Sequence, residues 1–178
     1  MGFNPLLEEL PTEWEGVPIK TDFRQPLRFF RCTKDRGLSP KEKAGIVIRL
    51  FFDPGQLPFV STELWDFVLF FVSGGEPEKE DSGSKVFDFE IDAGRVFAAF
   101  WQTYGIDLTA EKMHWWVFLE LFRALPDDTM LSKVMDIRGR EIPKGIDPKQ
   151  RYNLIRAKRA FALEQDDPHS LINWFKGL

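Results

Sequence analysis

Few residues of this 178-residue chain have the type and spacing to do chemistry. Glu111-Lys112-Met113-His114 sets a carboxylate and an imidazole at i and i+3, one half of a carboxylate-bridged di-iron site. Such a site needs two of these motifs and two more inward glutamates. The other histidine, His169, stands beside Pro168 and outside any periodic stretch, so an ordinary helix-start histidine is the better reading of His114. Cys32 is flanked by Arg31 and Lys34, whose charges favour a thiolate. Neither histidine is near it in sequence to serve as a base, and it reads as a half-buried structural cysteine. A lone cysteine also excludes an intramolecular disulfide and a multi-cysteine zinc site. There is no phosphate-cradling glycine loop, metal-ligand spacing or Gly-x-Ser-x-Gly. No catalytic residue, metal ligand or cofactor site is expected, and the chain reads as not an enzyme.

Two non-catalytic signals remain. From Ser132 to Ala160, nine Lys or Arg stand against three Asp or Glu, while the whole chain carries a net −4. The basic 133–159 stretch, with Lys149, Arg151, Arg156, Lys158 and Arg159, would suit phosphate neutralisation. These residues surround a helix rather than line one face, which favours a solvated helix or one docked on the molecule's own acidic side. Nucleic acid is therefore the weaker reading. The second signal lies at 110–124, where Lys112, Glu120 and Arg123 share one helical stripe and Trp116 and Leu119 fall within or beside it. Aromatic and arginine side chains among exposed charges are typical interface anchors, so Trp116, Leu119, Arg123 and Lys112 are candidate partner-binding residues. A large core that also covers this stripe is the standing alternative.

Positioning these residues falls to helices. Ala93, Val96, Phe97, Phe100, Trp101 and Tyr104 recur at i, i+3, i+4, i+7, i+8 and i+11, with Asp92 to cap and Gly105 to stop. This spacing predicts Phe97 and Trp101 in the core. Thr109 caps a second helix, Ala110 to Ala124, which is apolar enough to be a core centre or half contact surface. Asp127 or Asp128 begins a third, with Leu131, Val134 and Met135 inward.

Ahead of this trio, Trp14, Val17 and Ile19 around Gly16 and Pro18 suggest a short two-stranded ribbon that must lie on helices. Asp22 or Gln25 caps a helix with Pro26 in its first turn. Ser39-Pro40-Lys41-Glu42 is a capping box with proline at N1, opening a helix to Phe52. Ser61 or Thr62 caps a helix buried on most sides. Gly74 to Ser84 has no large apolar side chain and reads as a mobile loop. Val86, Phe87, Phe89 and Ile91 alternate with Asp88, Glu90 and Asp92, as in an extended segment that could pair with the ribbon. Asp147-Pro148 starts a helix to about Leu163, with Leu154, Ala157 and Phe161 on its inner stripe.

The fold class is thus all-α: about six to seven helices in a single domain over 1–163, with the N-terminal ribbon and loop 74–84. The tail 164–178 reads as an appended segment or short helix. Composition agrees, since 43% hydrophobic content at this length can bury a real core; eighteen Phe and six Trp are many for the length, and aromatics both fill cores and appear in excess where a protein contacts partners. No apolar run approaches the roughly 18 residues of a membrane span, and the N-terminus does not read as a signal peptide.

Several strings resemble the bacteriophage gene-product-fifteen family, encoded in tail-gene clusters of long-tailed phages and prophages of Gram-positive bacteria. They are Thr21-Asp22-Phe23-Arg24, Tyr104-Gly105-Ile106-Asp107-Leu108, His114-Trp115-Trp116-x-Phe118, and Leu125-Pro126-x-Asp128-Thr129 followed by Arg138. The resemblance runs from about Leu6 to Leu163. It implies a phage tail protein, an assembly factor or chaperone acting with tape-measure or tail-chaperone proteins in the host cytoplasm. It carries over no catalytic or ligand residue. Self-association is a second partner expectation. The competing readings are a structural tail component kept in the virion and an RNA-binding regulator using the basic stretch.

Overall fold

The computed structural model describes residues 3–4, 6–76 and 85–163. The main part of the expected loop, residues 77–84, and the tail 164–178 lie outside the described residues. Seven α-helices and one two-stranded ribbon occur among those described, so the chain is mainly helical as its periodicity predicts. The described residues form two compact units, one of residues up to 76 with 112–121, the other of 85–111 with 122–163.

In the first unit, β1 (Glu13–Trp14) and β2 (Val17–Pro18) pair antiparallel, Glu13 opposite Pro18 and Trp14 opposite Val17. Glu15 and Gly16, both at positive φ, make the two-residue turn whose twist suits a hairpin. α1 (Arg24–Lys34) packs on α2 (Pro40–Phe51). α2 opens on the full capping box: the Ser39 hydroxyl accepts from the Glu42 N–H and the Glu42 carboxylate accepts from the Ser39 N–H. Lys43 is buried, yet its Nζ donates to the Thr33 carbonyl at 2.7 Å, one of the orphan carbonyls at the end of α1. α3 (Thr62–Val72) is capped by Ser61 and buries Leu64, Trp65, Val68, Phe71 and Val72, while Phe70 is exposed. With Phe29, Val47, Phe51, Phe52 and the start of α5 (Trp115–Arg123), these side chains form an aromatic core.

α5 begins later than its apolar pattern predicts. Residues 110–114 are not helical, because the chain there pairs with residues 21–23 instead. The Phe23 N–H donates to the Met113 carbonyl at 2.9 Å, and the Trp115 N–H donates to the Thr21 carbonyl at 2.8 Å. Thr109 is no cap either: the Asp107 carboxylate accepts from its N–H and hydroxyl in a local turn.

In the second unit, α4 (Ala93–Tyr104) ends at Gly105, whose φ of 68° is the left-handed stop. It packs on α6 (Met130–Gly139), capped by Thr129, and α6 packs on α7 (Pro148–Ala160), whose first N–H groups donate to Asp147. Leu131 and Val134 are fully buried and Met135 half-buried.

Two expectations are corrected here. Phe97 and Trp101 are 36% and 54% exposed, because α4 turns Val96, Ala99 and Phe100 inward. Residues 89–92 form a turn rather than continuing a strand. Asp88 and Asp92, expected on the polar side of an alternating segment, are buried.

Candidate functional site

The His-Trp-Trp string organises the junction of α3 and α5. His114 takes the N-cap place of α5, and its Nδ1 accepts the Trp116 N–H at 3.1 Å, satisfying one of the helix's orphan donors. With Nδ1 accepting, Nε2 carries the proton and donates to the Pro11 carbonyl at 3.0 Å. Burial pushes the His114 pKa below its ordinary value, with the Pro11 carbonyl pulling the other way more weakly. Both ring nitrogens are thus committed. The two tryptophans close the other end of α3. Trp115 Nε1 donates to the Val72 carbonyl at 3.0 Å and Trp116 Nε1 to the Phe71 carbonyl at 2.8 Å, in the last turn of that helix, where Phe71 also accepts from the Gly74 N–H at 3.2 Å.

Trp116 is therefore a core residue, 3% exposed, and its expected place on an open stripe is corrected. Its ring meets Phe3 edge-on at 4.6 Å and Phe70 at 5.3 Å, and lies near-parallel to Phe71 at 6.2 Å. The physical reason is the carbonyl end of α3, which draws the indole N–H inward. The rest of the stripe separates. Leu119 is half-buried and Lys112 is exposed ahead of the helix, both in the first unit, whereas Arg123 is exposed and belongs to the second. Lys112 is out of helical register with the others because the 21–23 pairing delays α5.

An open apolar surface lies on α4. Phe97 and Trp101, one turn apart, stack with ring centroids 6.3 Å apart and 24° between planes. Gly94 and Ala98 on the same side are exposed too, and Ile91 in the preceding turn is 48% exposed. A stacked aromatic pair beside small residues is a surface that another helix can approach closely. The sequence signal was present, since α4 carries apolar residues over more of its circumference than one neighbour can cover.

On α7, Lys149, Arg151, Arg156 and Arg159 are exposed. Lys158 is half-buried and donates Nζ to the Arg138 and Arg140 carbonyls at 2.6 and 2.7 Å, tying α7 to the end of α6. These five residues are spread around the helix rather than along one side.

The second unit also buries a charge network. Asp92 stands at the α4 N-cap position but caps nothing with its side chain. Its carboxylate takes a fork from Arg138, Nη1 at 2.6 Å and Nη2 at 3.0 Å, with Arg95 Nη1 at 2.7 Å and the Asp88 N–H at 3.1 Å. Arg138 donates further to the Val86 and Phe161 carbonyls. Burial raises the Asp92 pKa, but Arg138, the Asp88 N–H and Arg95 together outweigh it and hold the carboxyl below its ordinary range. This pair ties together the 86–92 turn, α4, α6 and the end of α7. Sequence reading placed Arg138 in a family string without a role.

Cys32 is buried and its thiol is pushed up, mainly by desolvation. Among the described residues no group of three or more His, Cys, Asp or Glu is clustered to hold a metal ion, and no helix is long and apolar enough to cross a membrane.

Residues 6–163 match the family model described as Bacteriophage Gp15 protein. No curated protein and no solved structure matches the chain.

Proposed function

The chain belongs to the Bacteriophage Gp15 protein family, and from that premise we propose that it is a tail-assembly factor acting on tape-measure or tail-chaperone proteins in the host cytoplasm. One observation carries the reading: the exposed, stacked Phe97–Trp101 pair on α4. A tape-measure protein is a long helical chain whose apolar stripes need cover until the tail tube surrounds them. An aromatic strip flanked by Gly94 and Ala98 offers such a stripe a close-packing face, and binding of this kind needs no catalytic group. In the alternative reading, a structural tail component, the same face would stay covered by tube or tip proteins in the finished particle. On α7, Lys158 is committed to the carbonyls of Arg138 and Arg140 and Arg151 lies across the helix from Lys149, which leaves the RNA reading few cations on one side.

The test is where the protein goes. Pull-down from induced or infected cells should bring the tape-measure or tail-chaperone product with it, and purified virions should lack it. Its presence in virions in stoichiometric amount would replace the assembly factor with the structural component.

A further inference from the structure

Between α2 and α3 the first unit holds out a short apolar segment, Leu57-Pro58-Phe59-Val60. Leu57 is 44%, Phe59 87% and Val60 50% exposed. The segment makes no helix, strand, turn or bend. Leu57 stands at φ −72° and ψ 126°, the extended backbone that a residue ahead of proline favours, and Ser61 continues it at φ −137° and ψ 169°. Both ends are pinned. The buried Phe52 closes α2 and a 3-10 turn over Pro54–Gln56 follows it, while Ser61 caps α3 ahead of the buried Leu64. With Pro58 fixing its own φ, the segment is ordered in advance, and binding through it costs little further entropy.

Its backbone is as open as its side chains. Among the described residues, the Phe59 and Val60 N–H groups and the carbonyls of residues 57–60 take part in no hydrogen bond. Solvent serves these groups while the segment is bare. A partner that covers Leu57 and Phe59 removes that solvent, and every N–H or carbonyl then left without a mate is penalised. A helical surface cannot supply the mates, because its backbone is paired internally, and a lipid hydrocarbon layer has none. The open edge of a β-sheet presents donors and acceptors in the alternation an extended segment needs.

Pro58 sets which side pairs. Along extended backbone the N–H and carbonyl of alternate residues point to the same edge, so Phe59 shares an edge with the Leu57 carbonyl, and Val60 shares the other with Pro58. Proline enters a sheet with its missing N–H turned to solvent, which leaves the Phe59 side to meet the partner. The same alternation puts the Leu57 and Phe59 side chains on one face of the resulting sheet. We propose that residues 57–60 add as an edge strand to the open β-sheet of another protein, with Phe59 exchanging both backbone bonds and its ring entering a pocket on the partner's face. Among the described residues this chain's own strands are two residues long, too short to receive the segment. The contact lies in the first unit and depends neither on the α4 face nor on the tail-assembly reading.

The test uses the full chain in induced or infected cells, with the photoreactive p-benzoylphenylalanine at position 59 as the probe. The crosslinked residue of the partner should map to the edge strand of a β-sheet. In the isolated complex, amide exchange at Phe59 should slow roughly tenfold or more while that of Val60 keeps its rate. Phenyllactate at position 59 keeps the ring and replaces the N–H by an ester oxygen, and should weaken the complex roughly tenfold. The α-hydroxy analogue of valine at position 60 should leave it unchanged, and circular dichroism of both should match the parent. No crosslinked protein, a crosslink to a helix or to lipid, unchanged exchange at Phe59, or equal binding by the position-59 ester would each overturn the strand addition.

Discussion

In the first unit the side-chain groups at the junction of α3 and α5 are neutral, two indole N–H groups finishing α3 and an uncharged imidazole starting α5, and the buried Lys43 is held by a backbone carbonyl. In the second, a carboxylate with no exposed surface meets a buried guanidinium. The neutral bonds join groups that would otherwise be orphaned helix ends, each contributing about 1 kcal/mol net. The ion pair has already lost its hydration, so its members depend on each other. The two units should therefore respond differently to truncation and to pH.

The sharpest break is Arg138→Ala. It leaves Asp92 buried and unpaired, and should cost about 3–5 kcal/mol in denaturant melts followed by hydrogen exchange in the second unit. Replacing both partners, Asp92→Leu with Arg138→Met, should recover most of that loss. Among its described residues the first unit buries no carboxylate–guanidinium pair to rescue. There, Trp116→Phe keeps a ring and leaves the Phe71 carbonyl its Gly74 N–H, so it should cost only about 0.5–1.5 kcal/mol by the same melts.

Acid separates the units next. His114 has a folded pKa below its unfolded one, so the fold is at full strength above about pH 6.5 and weakens as pH falls through that value, when the unfolded chain takes up the proton. The slope is at most about 1.4 kcal/mol per pH unit. Asp92 is depressed as a carboxyl, so its contribution is present above about pH 4 and is lost only as pH falls below that. Between pH 7 and 5, amide exchange corrected for intrinsic rates should therefore quicken around Trp116 and not around Asp92. His114→Gln should remove the difference.

What the sequence allows to be read follows the same division between local and distant causes. The α2 capping box, the span of α4 and its glycine stop, and the Gly16 turn are set by residues within four of one another, and the structure has them where spacing puts them. The start of α5 was not legible, because the bridge between Asp22 and His114 competes with the helix from 92 residues away. Trp116 was misplaced for a related reason. Its stripe is set by helical angle, but its burial is decided by the Phe71 carbonyl at the end of another helix. The face of α4 was turned the wrong way because small Ala99 packs inward while larger Phe97 and Trp101 do not, and size alone favoured the latter. The Asp92–Arg138 pair spans 46 residues, and alternation of acidic with apolar residues masked it as solvent-facing.

The smallest expected effect on stability comes from the residues that matter most to the account. Phe97→Ala and Trp101→Ala, on the exposed face of α4, should each shift stability by less than about 1 kcal/mol. Co-purification of the tape-measure or tail-chaperone product with Phe97→Ala/Trp101→Ala, alongside the melting curve of the same preparation, therefore decides whether this face of α4 holds the partner. A melt close to that of the parent chain and loss of the tail partner are expected. A folded double variant that still carries its partner would contradict that role for the face.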